Sequence, residues 1–372
     1  MTRHRASVSA ALCAVTAGPV AGGQLVLLAK PLGGVVGVPG AVVGYIVLTG
    51  AVLGLFAALL CLWRLRPSVE MASACGVLAG IAVLVAGVAD TVAVFAVAVL
   101  VAGTVTGPLL VAGRTLAADL GRQSFVVMHA VAAAGLVVAA WLAGRYYENP
   151  GTGVIAAGAL TVVLGVSAGL LRIRLTQAPI SRRPATFGAV PRAALSGYVA
   201  VGLAVGGTVL PALHLLLFRW NEFGAEQLTW LVFAAAPAVF AVALPGRRPA
   251  AVPVLLILAA GGPVLVATAS GPVLLTIGLA VTLTAAARAM TALDEEVCPR
   301  ADRAAATAVV TAIAGSIGLG LVDLLGRVIG TGSALTVLAA CVLVAAWLCG
   351  RRDYVPSPPQ GVLSSHNEGG AP

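Results

Sequence analysis

The residues able to do chemistry are few, and most are charges set near the ends of apolar runs. Arg114 is followed by Asp119, and Arg288 by Asp294 and Glu295, at corresponding places in the two halves of the chain. An arginine one or two turns before a helix end can form an ion pair that closes and breaks as helices move. It can also simply anchor that end among lipid headgroups by snorkelling. Asp323 is the carboxylate set deepest in an apolar run and so a candidate proton carrier, but Arg327 stands four residues on and suits an ordinary helical ion pair. His129 and His214 can titrate near neutral pH or serve as hydrogen-bonded packing residues. Asp90, at a turn, reads as solvated.

Enzymatic chemistry needs more than this. A nucleophile with its base, or a metal site, requires clustered side chains within hydrogen-bond reach. The sequence offers no His-Glu-x-x-His, no Gly-x-Ser-x-Gly and no paired carboxylates within an apolar run. Cys13, Cys61, Cys75, Cys298, Cys341 and Cys349 include no Cys-x-x-Cys pair, and no histidine stands at metal-ligand spacing. The thiols read as small apolar helix residues. No catalytic residue, metal or cofactor is expected.

The elements that must position these charges follow from composition. Of 372 residues, 60% are hydrophobic and 9% charged, against about 25% charged in soluble domains. With a mean hydropathy of +1.05, the solvent is lipid, and secreted, cytosolic-enzyme and nucleic-acid-binding classes are excluded. Cutting at charges and Pro/Gly clusters yields twelve apolar segments, each long enough to span about 30 Å of hydrocarbon. They cover residues 7–30, 37–63, 71–89, 91–118, 124–147 and 152–171, then 194–218, 227–244, 251–269, 271–292, 304–326 and 331–349. The first is too long for a signal peptide. The cut between the ninth and tenth rests only on Ser270, Gly271 and Pro272.

An even number of spans puts both termini on one side. In this arrangement all 22 Lys and Arg residues except Lys30, Arg145, Arg219 and Arg327 fall on the side of the termini. That side is therefore cytoplasmic, and the net charge of +9 is a topology signal. The expected organisation is an N-terminal six-helix bundle over 1–171, a basic, Pro-rich linker over 172–193, a second six-helix bundle over 194–350 and a disordered tail over 351–372. The linker reads as a connector held near anionic headgroups. Gly50/Gly54, Gly76/Gly80, Gly103/Gly107 and Gly202/Gly206 have the spacing of close helix packing.

On the six-plus-six layout, the basic central linker and the matching Arg/Asp ends of the fourth and tenth segments, the chain resembles the major facilitator superfamily of secondary transporters, over residues 7–349. The resemblance implies two bundles related as parallel repeats, which rock about a central cavity to give alternating access. The sequence departs from the family in its signatures. The loop between helices two and three reads Leu62-Trp63-Arg64-Leu65-Arg66-Pro67, without Gly or Asp, and only Gly246-Arg247-Arg248 is similar to its end. Helix four has no arginine across Gly103 to Gly107, and helix five has Ala139-Ala140 in place of a Gly-Pro pair. These departures weigh against proton antiport.

The polar and aromatic residues available to a central cavity are Gln24, Tyr45, Thr104, Thr106, Thr208, Trp230, Thr282 and Thr284. Each offers one hydrogen bond or a stacking face, though threonine also bonds its own helix. The expected protein is an all-α, multi-pass transporter of the cell membrane, with lipids around it and no nucleic acid bound. It is expected to be a monomer that moves a small neutral or amphipathic organic molecule, outward in preference to inward. The alternative is a transport-inactive scaffold or sensor that retains the fold.

Overall fold

The computed structural model describes residues 19–64, 68–173, 190–215, 226–244, 251–298 and 301–351. Every regular element among them is an α-helix. The first half contains α1 (Pro19–Leu27), α2 (Ala29–Val36), α3 (Gly40–Arg64), α4 (Val69–Gly87), α5 (Val92–Leu120), α6 (Arg122–Arg145) and α7 (Pro150–Ile173). The second contains α8 (Arg192–His214), α9 (Glu226–Ala243), α10 (Val252–Ala267), α11 (Pro272–Val297), α12 (Ala301–Ile329) and α13 (Thr331–Gly350). Among the described residues nine helices are long and apolar enough to cross a membrane. Two shorter apolar helices, Leu228–Ala243 and Val252–Ala267, stand where the eighth and ninth spans are expected. The expected linker and tail lie almost wholly outside the described residues.

Helix ends fall where the local chemistry allows. Ser68 accepts the Met71 N–H at 3.1 Å to cap α4, and Thr91 caps α5 in the same way. Proline opens α7 and α11, where its missing N–H is not needed. The first expected span, by contrast, does not run unbroken to Lys30. It stops at Leu27 and restarts as α2, because Pro31 has no N–H with which to continue the ladder onto Leu27. α2 then ends at Gly37, whose φ of 74° is left-handed and whose N–H closes onto the Gly33 carbonyl. α11 runs past the expected end at residue 292 to Val297, which places Asp294 inside the helix.

The two halves pack alike. In the first, α1 lies against α6 and α7, α3 against α5, and α4 against α5 and α7. In the second, α8 lies against α12 and α13, α9 against α11, and α10 against α11 and α13. Each pairing in one half thus has its counterpart six spans later. Large apolar side chains such as Phe56, Phe240 and Trp347 point outward, while alanine dominates the interior, which is the pattern of a protein solvated by hydrocarbon. Small residues let backbones meet where packing, rather than hydrophobic burial, must drive association. Gly50 and Gly54 of α3 face Gly103 and Gly107 of α5, and Gly76 and Gly80 of α4 meet Gly165 and Gly158 of α7. Gly202 and Gly206 of α8 meet Gly315 of α12. Between the halves, α6 packs on α9 and α11, and α12 packs on α5 and α3.

Candidate functional site

The polar centre of the molecule lies between the halves, near the junctions of α5 with α6 and α11 with α12. Arg114, in the second-last turn of α5, is 4% exposed, and Asp294, in the last turn of α11, is fully buried. Their side chains form an ion pair across the two halves. The same guanidinium donates to the Ala304 carbonyl at 3.3 Å and to Thr307 Oγ1 at 3.2 Å, both on α12. Phe125 of α6 lies 5.9 Å beneath it, within cation–π range. A carboxylate near a helix C-terminus opposes the helix dipole. Asp294 is tolerated there because donors surround it. Tyr198 of α8 donates its hydroxyl to Oδ1 at 2.8 Å, and His129 Nε2 of α6 lies 2.5 Å from Oδ2. Cys298 Sγ is 3.4 Å from the Tyr198 hydroxyl and 3.5 Å from Thr307 Oγ1. Burial, with the Asp294 charge second, pushes the Cys298 thiol up to about 11.

This arrangement corrects the expected pairings. Arg114 does not pair with Asp119, which is exposed at the end of α5, and it is too deeply buried to serve as a headgroup anchor. Asp294 is taken by Arg114 from the other half instead of by Arg288. Arg288 turns to the end of α9, donating to the Ala241 carbonyl at 2.7 Å and to that of Leu244, as cations do at helix C-termini. The two arginines therefore occupy equivalent positions but act differently, one between halves and one within its own. Asp323 and Arg327 form an i,i+4 pair at 2.7 Å, with side chains 61% and 62% exposed. Helix α12 also packs on α3, which carries Tyr45, a second contact between halves. Arg327 lies about 35 Å along α12 from Ala304, at 1.5 Å per residue.

Between the halves lies a cavity of about 160 Å³, shared by α1, α6, α8, α9 and α11. Its wall consists of Gly23, Val26, Leu27, Leu136, Ala140, Val209, Leu210, Leu213, Leu231, Ala234, Leu279 and Leu283. None of the eight residues expected to line it is among them. Gln24 points away to donate to the Ala139 carbonyl at 2.5 Å. Thr104 and Thr106 bond carbonyls of their own helix. Thr282 bonds the Gly278 carbonyl and packs on Gly262 of α10. Trp230 stacks edge-on against exposed Phe233, with centroids 6.2 Å apart. Thr208 is fully buried beside the wall-forming Val209, and the Thr284 hydroxyl is buried beside Leu283. Tyr45 is exposed on α3. The side chain of His214 lies outside the described residues.

Sequence reasoning missed Tyr198 and Thr307 and read Cys298 as a small apolar helix residue, whereas its thiol sits among Tyr198, Asp294 and Thr307; a lone tyrosine, thiol or threonine in an apolar run carries no signal of its own. The signal available was that the fourth and tenth segments both bring their charges to the same end.

No protein-family model and no curated protein sequence matches the chain. Its fold matches solved structures over almost its whole length. The human organic anion transporter MFSD10 (TETRAN) superposes with a TM-score of 0.69 at 15% identity, covering 93% of this chain and 99% of that one. A variant of the Escherichia coli fucose:proton symporter FucP gives 0.57 at 13% identity, covering 92% and 97%. The chain is a multi-pass helical membrane protein. Its fold is that of the major facilitator superfamily transporters.

Proposed function

We propose that the protein is a twelve-span transporter of two six-helix bundles, over residues 1–171 and 194–350, which moves a small neutral or amphipathic organic molecule by alternating access. The observation that carries this reading is an apolar cavity between the halves, with a buried Arg114–Asp294 latch between it and one end of the molecule. A latch made of first-half donors and a second-half acceptor must break for that end to open. The bias of the basic residues supports reading this end as cytoplasmic, with both termini, and the cell membrane is the expected location. The cavity wall has no charged side chain, so an organic anion would find no cation there. Amphipathic compounds that partition from the membrane suit it, which favours export. Apolar cavities of about this volume bind small hydrocarbons such as benzene.

The test is accumulation of a panel of neutral and amphipathic compounds in everted membrane vesicles, with and without an imposed proton gradient. Uptake that disappears in Arg114→Ala and Asp294→Ala supports transport through this latch. Absence of flux for every compound would leave the molecule as a scaffold or sensor that keeps the fold.

A further inference from the structure

The turn between α6 and α7, at the end of the molecule opposite the latch, encloses a cavity of about 460 Å³, a size ordinary for small-ligand sites. Its backbone fixes it. The Tyr146 N–H closes α6 onto the Leu142 carbonyl at 3.0 Å, the Asn149 N–H bonds the Tyr146 carbonyl at 3.1 Å, and the Thr152 N–H bonds that of Asn149 at 3.0 Å. Arg145, Tyr146, Tyr147, Glu148, Asn149 and Thr152 line the space, so it holds one cation and one carboxylate. These two charges do not neutralise each other. Among the described residues the Glu148 carboxylate has no ion pair or hydrogen bond, and the Arg145 guanidinium rests over the Tyr146 ring, 5.7 Å from its centroid.

Opposite charges that share a pocket and stand apart fit a ligand that carries both charges, also apart. The place in the fold says what else the ligand carries. The apolar span of α6 ends at Arg145 and that of α7 begins at Pro150, so the pocket opens where hydrocarbon gives way to headgroups. Trp141 and Val138, 59% and 36% exposed, lie one and two turns deeper on the face of α6 that bears Arg145. They form an apolar stripe leading up to the charges, and tryptophan is a residue of that boundary.

We propose that this pocket binds the headgroup of a zwitterionic phospholipid: Arg145 takes the phosphate, Glu148 takes the ammonium, and an acyl chain descends along Trp141 and Val138. A guanidinium and a phosphate form paired, charge-assisted hydrogen bonds. Asn149 and Thr152 add neutral donors for the remaining phosphate oxygens, and Tyr147, next to Glu148 in the turn, adds an aromatic ring suited to a cation. A headgroup with a phosphate and no ammonium would leave the Glu148 carboxylate facing an anion alone. A soluble zwitterion would leave the Trp141 stripe unused. The site is separate from the apolar cavity between the halves and does not depend on the transport reading.

Native mass spectrometry of the intact chain, stripped of lipid in detergent, tests this by titration with phosphatidylethanolamine, with phosphatidylglycerol of the same chain length, and with glycerophosphoethanolamine, the same headgroup without chains. Phosphatidylethanolamine should bind about tenfold more tightly than phosphatidylglycerol, the worth of one charge-assisted hydrogen bond, and at least about tenfold more tightly than the chainless headgroup. Arg145→Gln should weaken both lipids by about tenfold. Glu148→Gln should weaken phosphatidylethanolamine alone and so erase the preference. Both side chains are exposed, so the substitutions leave the packed interior untouched, and circular dichroism checks the fold. Equal affinity for the two lipids overturns the proposal, as does a preference that survives in Glu148→Gln. Glycerophosphoethanolamine binding as tightly as the lipid would assign the pocket to a soluble zwitterion and overturn the lipid assignment.

Discussion

A buried arginine and a buried aspartate are each costly alone and tolerable together. Removing one partner of such a pair typically costs about 3–5 kcal/mol, because the other is left charged and dry. Arg114→Ala and Asp294→Ala should each lower thermal stability strongly, and the double substitution should cost much less than their sum. A double-mutant cycle by thermal unfolding in detergent checks this. Additive losses would mean that the two side chains do not act on each other. The Cys298 thiol, pushed up to about 11 by burial and the Asp294 charge, is protonated at pH 8 and should resist iodoacetamide. Asp294→Asn removes that charge and loosens the latch, so its alkylation should quicken by about tenfold or more, as read by mass spectrometry of the 298 peptide. The sequence made the types of these residues legible and their partners not. Arg114 and Arg288 each have a carboxylate within two turns of their own helix, and local spacing cannot tell that Asp294 is claimed from the other half.

At the scale of elements, the helix boundaries were largely readable because apolar runs in lipid end where charges, Pro and Gly begin. The exceptions have local causes. Pro31 splits the first span, and α11 continues to Val297 because Asp294 is neutralised in place and so need not mark the helix end. The glycine spacings turned out to be contact seams, but spacing alone could not tell which helices they join. The seam between α3 and α5 is the tightest, since a Cβ on Gly107 would fall on the Gly54 carbonyl. Gly107→Ala should therefore force these helices apart and cost about 1–3 kcal/mol, whereas Gly44→Ala, with open space around it, should be neutral. Comparative thermal melts distinguish the two.

For the whole molecule, the repeated packing of the halves agrees with the repeat inferred from charge position. The cavity does not agree with the expected polar lining. Thr104, Thr106 and Thr282 satisfy their hydroxyls on the preceding turn of their own helices, while the hydroxyls of Thr208 and Thr284 are buried beside the wall without forming part of it. Polar residues at the two ends of the interface between halves differ in burial: Arg114 is buried, whereas Tyr45 and Arg327 are exposed. Exposed pairs contribute little. Tyr45→Phe should leave thermal stability unchanged while Arg114→Ala does not, and a comparable loss from both would contradict that ranking.

The acceptor side of the latch is braced from within its own half. Tyr198 and Cys298 fix the Asp294 carboxylate from within its own half, and Thr307 waits beside it on α12. In the rocking cycle proposed above, each return of Arg114 would meet a receptacle already shaped for it. The same shut geometry would then re-form every turn, its tempo set by how the bodies swing and not by how the landing place is rebuilt.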